Sequence, residues 1–256
     1  MWTHDLIFRL AAEQSAVDFC CAPEDFFRDE NVITISCFRE GRRADLEPPH
    51  VFDLVSYGSN VVACVREDLQ EIASSLLARF APAHCFGAAA IHALDELLLP
   101  QGIRVEALSG FFLPCLEGRR IPESPLEIRI LEPPDFAWLY RPEWSNALCA
   151  RRRELDRLCV GAYAGETLVA LAGASADSEK LWQIGVDVLP AYRRKGLAKV
   201  VTARLAAEVF ARGKVPFYGV AWANIPSVRN ALACGFVPAW AQLEAKPIRK
   251  EGSAEV

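Results

Sequence analysis

Three consecutive cations, Arg193, Arg194 and Lys195, precede Gly196-Leu197-Ala198 where the apolar stretch Leu181–Val188 gives way to a long amphipathic run ending near Arg212. A glycine at a strand-to-helix junction lets several backbone N–H groups converge at the helix N-terminus, where they have no intrahelical acceptor. Those groups, the helix dipole and the adjacent cations make an anion site, phosphate above all. Taken alone, such a junction is as often a structural turn. Two further features lie downstream. Asn224-Ile225-Pro226-Ser227 follows the apolar run Pro216–Trp222. It reads either as an amide aimed at a ligand or as an ordinary helix N-cap. Cys234-Gly235-Phe236 reads as a helix stop followed by a core aromatic.

Other chemistries have little support. His4, His50, His84 and His92 all lie in the first half of the chain, and no G-x-S-x-G elbow is present. His92, within a predicted helix, reads as a partly buried core residue rather than a base. The nine cysteines include no C-x-x-C pair, so no zinc site and no metal is expected. Reduced, mostly buried thiols point to a cytoplasmic protein. The start of the chain lacks the basic and apolar pattern of an export signal. No apolar run approaches the roughly 20 residues of a membrane span.

The 256 residues are 52% hydrophobic and 24% charged, enough to bury a sizeable core in one or two domains. The formal charge of −5 is uneven: residues 1–120 carry 10 Lys+Arg against 18 Asp+Glu, and residues 121–256 carry 18 against 15. The cationic loop thus sits in the basic half. The acidic half argues against a nucleic-acid footprint and suits a cationic small molecule, although acidic domains are often merely soluble ones.

The elements that must position the loop follow from periodicity. Residues 5–21 read as a helix, 31–38 as a strand, and 51–56 with 61–65 as a hairpin around Tyr57-Gly58-Ser59-Asn60. Helices are expected over 66–80 and 88–99, and a strand over 103–113 interrupted at Ser109-Gly110. The polar stretch Glu117–Pro125 is the expected boundary between an N-terminal α/β lobe, 1–119, and a second domain, 120–256. The first lobe reads as a degenerate copy of the second or as an unrelated α/β unit. In the second, strands over 126–131, 158–164, 168–175 and 181–188 lead into the loop and its helix, followed by strand 216–222, helix 224–234 and strand 236–243. Short helices are expected at 135–139 and 143–155. The Arg151-Arg152-Arg153 run on the latter reads as a solvated helix end or as a phosphate contact.

In this order and spacing the motifs of the second domain resemble the GCN5-related N-acetyltransferase superfamily, GNAT. Its acetyl-CoA motif, V-x-P-x-x-R/Q-x-x-G-x-G/A, is filled by Val188, Pro190, Arg193, Gly196 and Ala198. Its N-x-x-[A/S] motif with a later G-F is filled by Asn224, Ser227, Gly235 and Phe236. The whole chain also resembles the two-lobed bacterial GNAT proteins that include zwittermicin-resistance-type acetyltransferases. The resemblance implies an α/β (α+β) fold with a central mixed, mostly antiparallel sheet, and acetyl-CoA (coenzyme A) as co-substrate. It implies pyrophosphate on the N–H groups of Arg194, Lys195, Gly196, Leu197 and Ala198, beside Arg193. The pantetheine arm would pair with the backbone of Val186 and Val188 in a gap between strands 181–188 and 216–222. Asn224 would flank the arm, with Ser227 and Asn230 near its phosphate or sulfur end.

The implied activity is acetyl transfer to a primary amine by direct attack on the thioester, preferably on a small molecule. A non-catalytic acyl-CoA sensor and a protein or peptide N-terminal acetyltransferase remain alternatives. The family's usual strand Glu is replaced by Trp182, and its usual Tyr seven residues after the motif Asn by Ala231. Asp187 is the remaining acid near the strand centre, a base or substrate anchor on one reading and a surface acid on the other. Neither a nucleic-acid nor a membrane partner is expected, and a homodimer is left open.

Overall fold

The computed structural model describes residues 2–44, 46, 50–118 and 120–248. In chain order its main elements are α1 (His4–Asp18), β1 (Val32–Ile35), β2 (Phe52–Ser56), β3 (Val62–Val65), α2 (Gln70–Arg79), α3 (Ala88–Leu98) and β4 (Ile103–Pro114). There follow β5 (Glu127–Leu131), α4 (Pro133–Phe136), β6 (Asp156–Ala164), β7 (Thr167–Ser175), β8 (Leu181–Val188), α5 (Leu197–Ala211), β9 (Val215–Ala221), α6 (Ile225–Ala233) and β10 (Phe236–Pro247). The chain forms two units that interleave in sequence. One holds Met1–Ala11 and Phe111–Pro238; the other holds Ala12–Gly110 and Ala239–Val256. A single cut near residue 119 therefore differs from the observed division. The last strand, β10, pairs antiparallel with β2, from Ala241 opposite Ser56 to Ala245 opposite Phe52. A pairing between segments so far apart in the chain leaves no local mark on the sequence.

In the unit of residues 12–110 and 239–256, the β2–β3 hairpin forms antiparallel as its turn residues predict, and β1 joins β3 in parallel. The expected strand at 103–113 is continuous through Ser109-Gly110. Helices α2 and α3 bury Ala73, Leu76, Ala90, Leu94 and Leu98 against Phe52, Leu54, Ala63 and Val65. The buried Arg43–Asp18 pair closes one side, Arg43 Nε lying 2.6 Å from Asp18 Oδ2. The buried histidine here is His50, whose Nδ1 stands 3.0 Å from Asp53 Oδ2. His92 is exposed on α3, contrary to the core placement expected from its helix.

The unit of residues 1–11 and 111–238 is a mixed, mostly antiparallel sheet with helices on it. The run β5-β6-β7-β8 is antiparallel throughout, and β8 pairs β9 in parallel. Alternation within the strands feeds two cores. Leu158, Val160, Ala170 and Ala172 face α5, which contributes Leu197, Val201, Leu205 and Val209. Fully burying one such aliphatic side chain stabilises by about 1.5–3 kcal/mol, so this face fixes α5 on the sheet. Cys159 and Leu171 point the other way, against Phe136, Leu139, Trp144 and Leu148.

That second face is covered by an irregular segment rather than by the helix expected over 143–155. Only 3-10 turns form there, at Pro142–Trp144 and Arg153–Leu155. The physical reason is where the amides go. Asn146 and Ala147 donate their N–H groups to Asp187, both at 2.9 Å, and Cys149 donates to Asp156 at 3.0 Å. Those donors are unavailable to an α-helix, so tertiary partners override propensity. The segment also lies very close to the sheet. A Cβ on Gly173 would stand 1.9 Å from Ala147 O, and one on Gly185 would stand 1.7 Å from Asn146 O. Only glycine permits such an approach.

Candidate functional site

β8 and β9 are parallel neighbours for only three residue pairs, from Leu181 opposite Val215 to Gln183 opposite Phe217. Beyond that the strands part, and a cavity of about 800 Å³ opens between residues 184–188 of β8 and 218–221 of β9. Backbone groups of two parted strands are obligatory hydrogen-bonding groups, and a chain-like ligand can satisfy them as an extra strand would.

The strand-to-helix loop closes one end. Arg194 has φ +61° and Gly196 has φ +79°, both in the left-handed region. Gly196 caps α5, whose first N–H groups have no intrahelical acceptor. Arg193 turns back to donate from Nε to Val188 O at 3.1 Å, tying the loop to the end of β8. Lys195 places its ammonium 4.8 Å from the centre of the Tyr192 ring. Arg193, Arg194, Leu197 and Ala198 line the cavity, together with Val186, Asp187 and Val188; Lys195 and Gly196 stand outside its lining.

The opposite wall comes from α6. Asn224 caps that helix, its Oδ1 accepting the Ser227 N–H at 3.3 Å, and both residues also line the cavity. Ser227 Oγ lies 3.0 Å from the Tyr218 hydroxyl. Asn230, also at the cavity, donates from Nδ2 to Thr202 Oγ1 at 3.1 Å and so fixes α6 to α5. Gly235, at φ +80°, ends α6, and Phe236 enters the core. Burial raises the Tyr218 phenol above its ordinary value, and the hydrogen bond to Ser227 partly offsets this.

Asp187 faces the cavity with its carboxylate accepting three hydrogen bonds. Besides the two backbone donors, Asn146 Nδ2 donates to Oδ1 at 2.6 Å. The carboxylate thus holds residues 146–147 against the sheet, and Asn146 itself becomes part of the cavity wall. Trp182 is partly buried against the α5 core, and Ala231 is fully buried. Arg152 pairs with Asp177 at 2.9 Å and Arg153 stacks on Tyr140, and no member of the Arg151-Arg152-Arg153 run lines the cavity. Sequence reasoning does not reach Asn146, Gln183, Tyr192 and Tyr218 as lining groups. Tyr218 carries a usable signal, since it alternates with Phe217 on a strand that flanks the motif loop.

The groove and loop fit coenzyme A in kind: parted strands for an extended arm, and a cationic helix N-terminus with two left-handed residues for a pyrophosphate. Among the described residues no group of three or more His, Cys, Asp or Glu side chains is placed to hold a metal, and no helix is long and apolar enough to cross a membrane.

Comparison with solved structures finds many GNAT-like folds. A GCN5-related N-acetyltransferase from Kribbella flavida superposes with a TM-score of 0.50 at 15% identity, covering 62% of this chain and 65% of that one. An acetyltransferase of the GNAT family from Colwellia psychrerythraea gives 0.44 at 15% identity, covering 59% and 61%. The chain thus spans under two thirds of the length of these two proteins. A protein from Salmonella typhimurium solved with its cofactor acetyl-CoA gives 0.37 at 16% identity, covering 52% and 99%. No curated protein sequence matches the chain. The family model described as GNAT acetyltransferase matches residues 155–239. That match covers the stretch that builds the parted strands, the cationic loop and α6.

Proposed function

We propose that the protein is an acetyl-CoA-dependent N-acetyltransferase acting on a primary amine of a small molecule, with residues 111–238 as its catalytic unit. The observation that carries this reading is the abrupt end of β8–β9 pairing beside the cationic N-terminus of α5. Acetyl-CoA supplies an activated acetyl group. The amine nitrogen bonds to the acetyl carbon as the C–S bond breaks, leaving the coenzyme A thiolate and one proton from the amine. The chain's own part is positional. N–H groups from Arg194 to Ala198, with Arg193, hold the pyrophosphate, while Val186 and Val188 present backbone groups to the pantetheine arm. A backbone N–H near these residues polarises the thioester carbonyl as it gains charge. Asn224, Ser227 and Asn230 flank the arm. Tyr218, kept neutral by burial and joined to Ser227, donates its proton to the departing thiolate and is reprotonated by the proton that the amine gives up. Asp187 acts as an anchor of the acceptor wall through residues 146–147. The acidic share of the chain suits a cationic acceptor.

A non-catalytic acyl-CoA sensor is the second reading. It is favoured by Trp182 and Ala231 at the family's usual base and acid positions and by the three hydrogen bonds that already engage the Asp187 carboxylate. Free-thiol release from acetyl-CoA with a panel of amines and N-terminal peptides separates the readings. Turnover with free amines supports the proposal, preference for peptides supports a peptide acetyltransferase, and binding without release supports the sensor. Gly196→Glu tests the cofactor placement, with Gly196→Ala as a control for backbone strain. The charge should weaken coenzyme A binding by about tenfold or more, some 1.4 kcal/mol, beyond the alanine control. Equal affinity of the two variants would sink the assignment of the loop.

A further inference from the structure

A second reactive centre stands in the other unit and shares no residue with the groove. Cys20 follows the end of α1, and Cys37 lies two residues beyond β1. Their Sγ atoms are 3.0 Å apart. The Cys37 N–H donates to Cys20 Sγ at 3.2 Å, and the Cys20 thiol reaches Cys37 O at 3.3 Å. The two segments are pinned independently of the sulfurs, since Thr34 Oγ1 donates to Phe19 O at 2.7 Å. Cys20 is held at φ +56°, a left-handed conformation that a side-chain-bearing residue rarely adopts. Cys20 is buried, whereas Cys37 is exposed. Arg39 reaches the Cys21 carbonyl at 3.2 Å and Arg42 the Cys37 carbonyl at 3.4 Å, so two guanidinium groups border the pair.

We propose that Cys20 and Cys37 form a reversible redox couple that closes to a disulfide when the protein meets a hydroperoxide. Closure needs the sulfurs to approach by about 1 Å, to the usual S–S length near 2.05 Å. Cys37 is the attacking sulfur. It is exposed, and its hydrogen-bond contact with Cys20, aided by the nearby Arg39 guanidinium and opposed by slight burial, holds its thiol below the ordinary value. Burial pushes Cys20 the other way, which keeps it protonated as the resolving partner. The Cys37 thiolate attacks one peroxide oxygen and the O–O bond breaks, giving a sulfenic acid and hydroxide, which takes up a proton as water. Cys20 then gives up its proton and attacks the Cys37 sulfur. The S–S bond forms and the sulfenic oxygen leaves as a second water. Two thiols are oxidised and one peroxide is reduced to two waters.

The full chain treated with stoichiometric hydrogen peroxide tests this. Titratable thiols should fall from the nine of the sequence to seven. The intact mass should drop by about 2 Da, and a thiol reductant should restore both. Tryptic mapping should link the peptide of residues 10–28 to that of residues 29–39. The link should persist in Cys21→Ser, which removes the neighbouring thiol of the same peptide. In Cys20→Ser a sulfenic-acid trap should label Cys37, and Cys37→Ser should form no link. An unchanged thiol count, or a link between any other cysteines, would overturn the proposal. Mapping of the unmutated chain decides between these outcomes even where a serine variant fails to fold.

Discussion

Gly185→Ala is the sharpest probe of how the Asn146 part of the cavity lining is built. The new Cβ would sit 1.7 Å from Asn146 O and 3.3 Å from Ala147 Cα. Real Cβ contacts begin near 3.0 Å, so residues 146–147 must retreat by more than about 1 Å. Asp187 holds those residues by three hydrogen bonds of 2.6–2.9 Å, and a retreat of that size breaks or badly stretches them. Overpacking costs about 1–3 kcal/mol, and a lost hydrogen bond to a charged group costs about 1.5–3 kcal/mol. Water re-solvates the exposed Asn146 side, so a net loss of about 2–4 kcal/mol is expected rather than the full sum. Asp187→Ala should cost a similar amount by removing the acceptor. The two changes break the same contacts, so in the double variant they should fall short of additivity by about 1–2 kcal/mol. Urea unfolding followed by tryptophan fluorescence reads all three. Under the proposed function the single variants should also raise the KM for amine while leaving coenzyme A affinity unchanged. A neutral Gly185→Ala, or strict additivity within about 0.5 kcal/mol, would refute the clamp.

Three further outcomes follow from buried polar groups. Asp18→Ala removes the acceptor of both the Arg43 N–H and the Arg43 guanidinium in a site almost without solvent, so the unfolding free energy should fall by about 3–5 kcal/mol; a loss under about 1 kcal/mol would contradict the burial. Burial pushes Asp156 from 3.8 up to about 6, against the hydrogen bond from Cys149 N–H, so the folded state binds this proton more tightly than the unfolded chain does. Stability should then fall as pH rises from about 4 to about 6, and the difference between the original chain and Asp156→Asn, measured by urea midpoints across that window, should carry this slope; parallel profiles would refute it. Tyr218→Phe removes the hydroxyl shared with Ser227 and should lower kcat by about 10²-fold with coenzyme A affinity held, whereas an unchanged kcat would remove Tyr218 from proton donation.

The parts legible in the sequence are those whose cause is local. Gly196 at φ +79°, the Asn224 cap, and Gly235 ending α6 each follow from a residue acting within a few positions of itself. The strands from β5 to β9 are equally readable, because their alternation is enforced by one core on each face. The irregular cover at 142–155 is not. Its residues have ordinary helix propensity, and their amides are captured by Asp187 and Asp156, the first of them 41 positions away from Asn146. Asp187 itself is visible in mid-strand, but its donors are not. The core histidine is hidden in part for the same reason: His50 stacks on Phe19 from a distant segment, and only its partner Asp53 is near it in the chain. The pairing of β10 with β2 joins segments from opposite halves of the chain and has no sequence signature short of the fold itself.

This division between local and distant causes also separates the two walls of the groove. The wall assigned to the cofactor is made mainly of backbone: parted strands and a helix N-terminus. Backbone recognition asks of the sequence only that a glycine, a proline and a cap stand at the right spacing, and many unrelated side chains meet that demand. The part of the lining contributed by Asn146 sits on a segment held down by one carboxylate and close to two glycines. Its shape depends on side chains and on contacts distant in sequence, so a few substitutions there would change which molecule fits without disturbing β8, α5 or α6. The family-model match at 155–239 begins downstream of residues 142–148, of which Asn146 lines the cavity. On the proposed reading, the acceptor is to be sought by varying those residues and Gln183, not the motif loop.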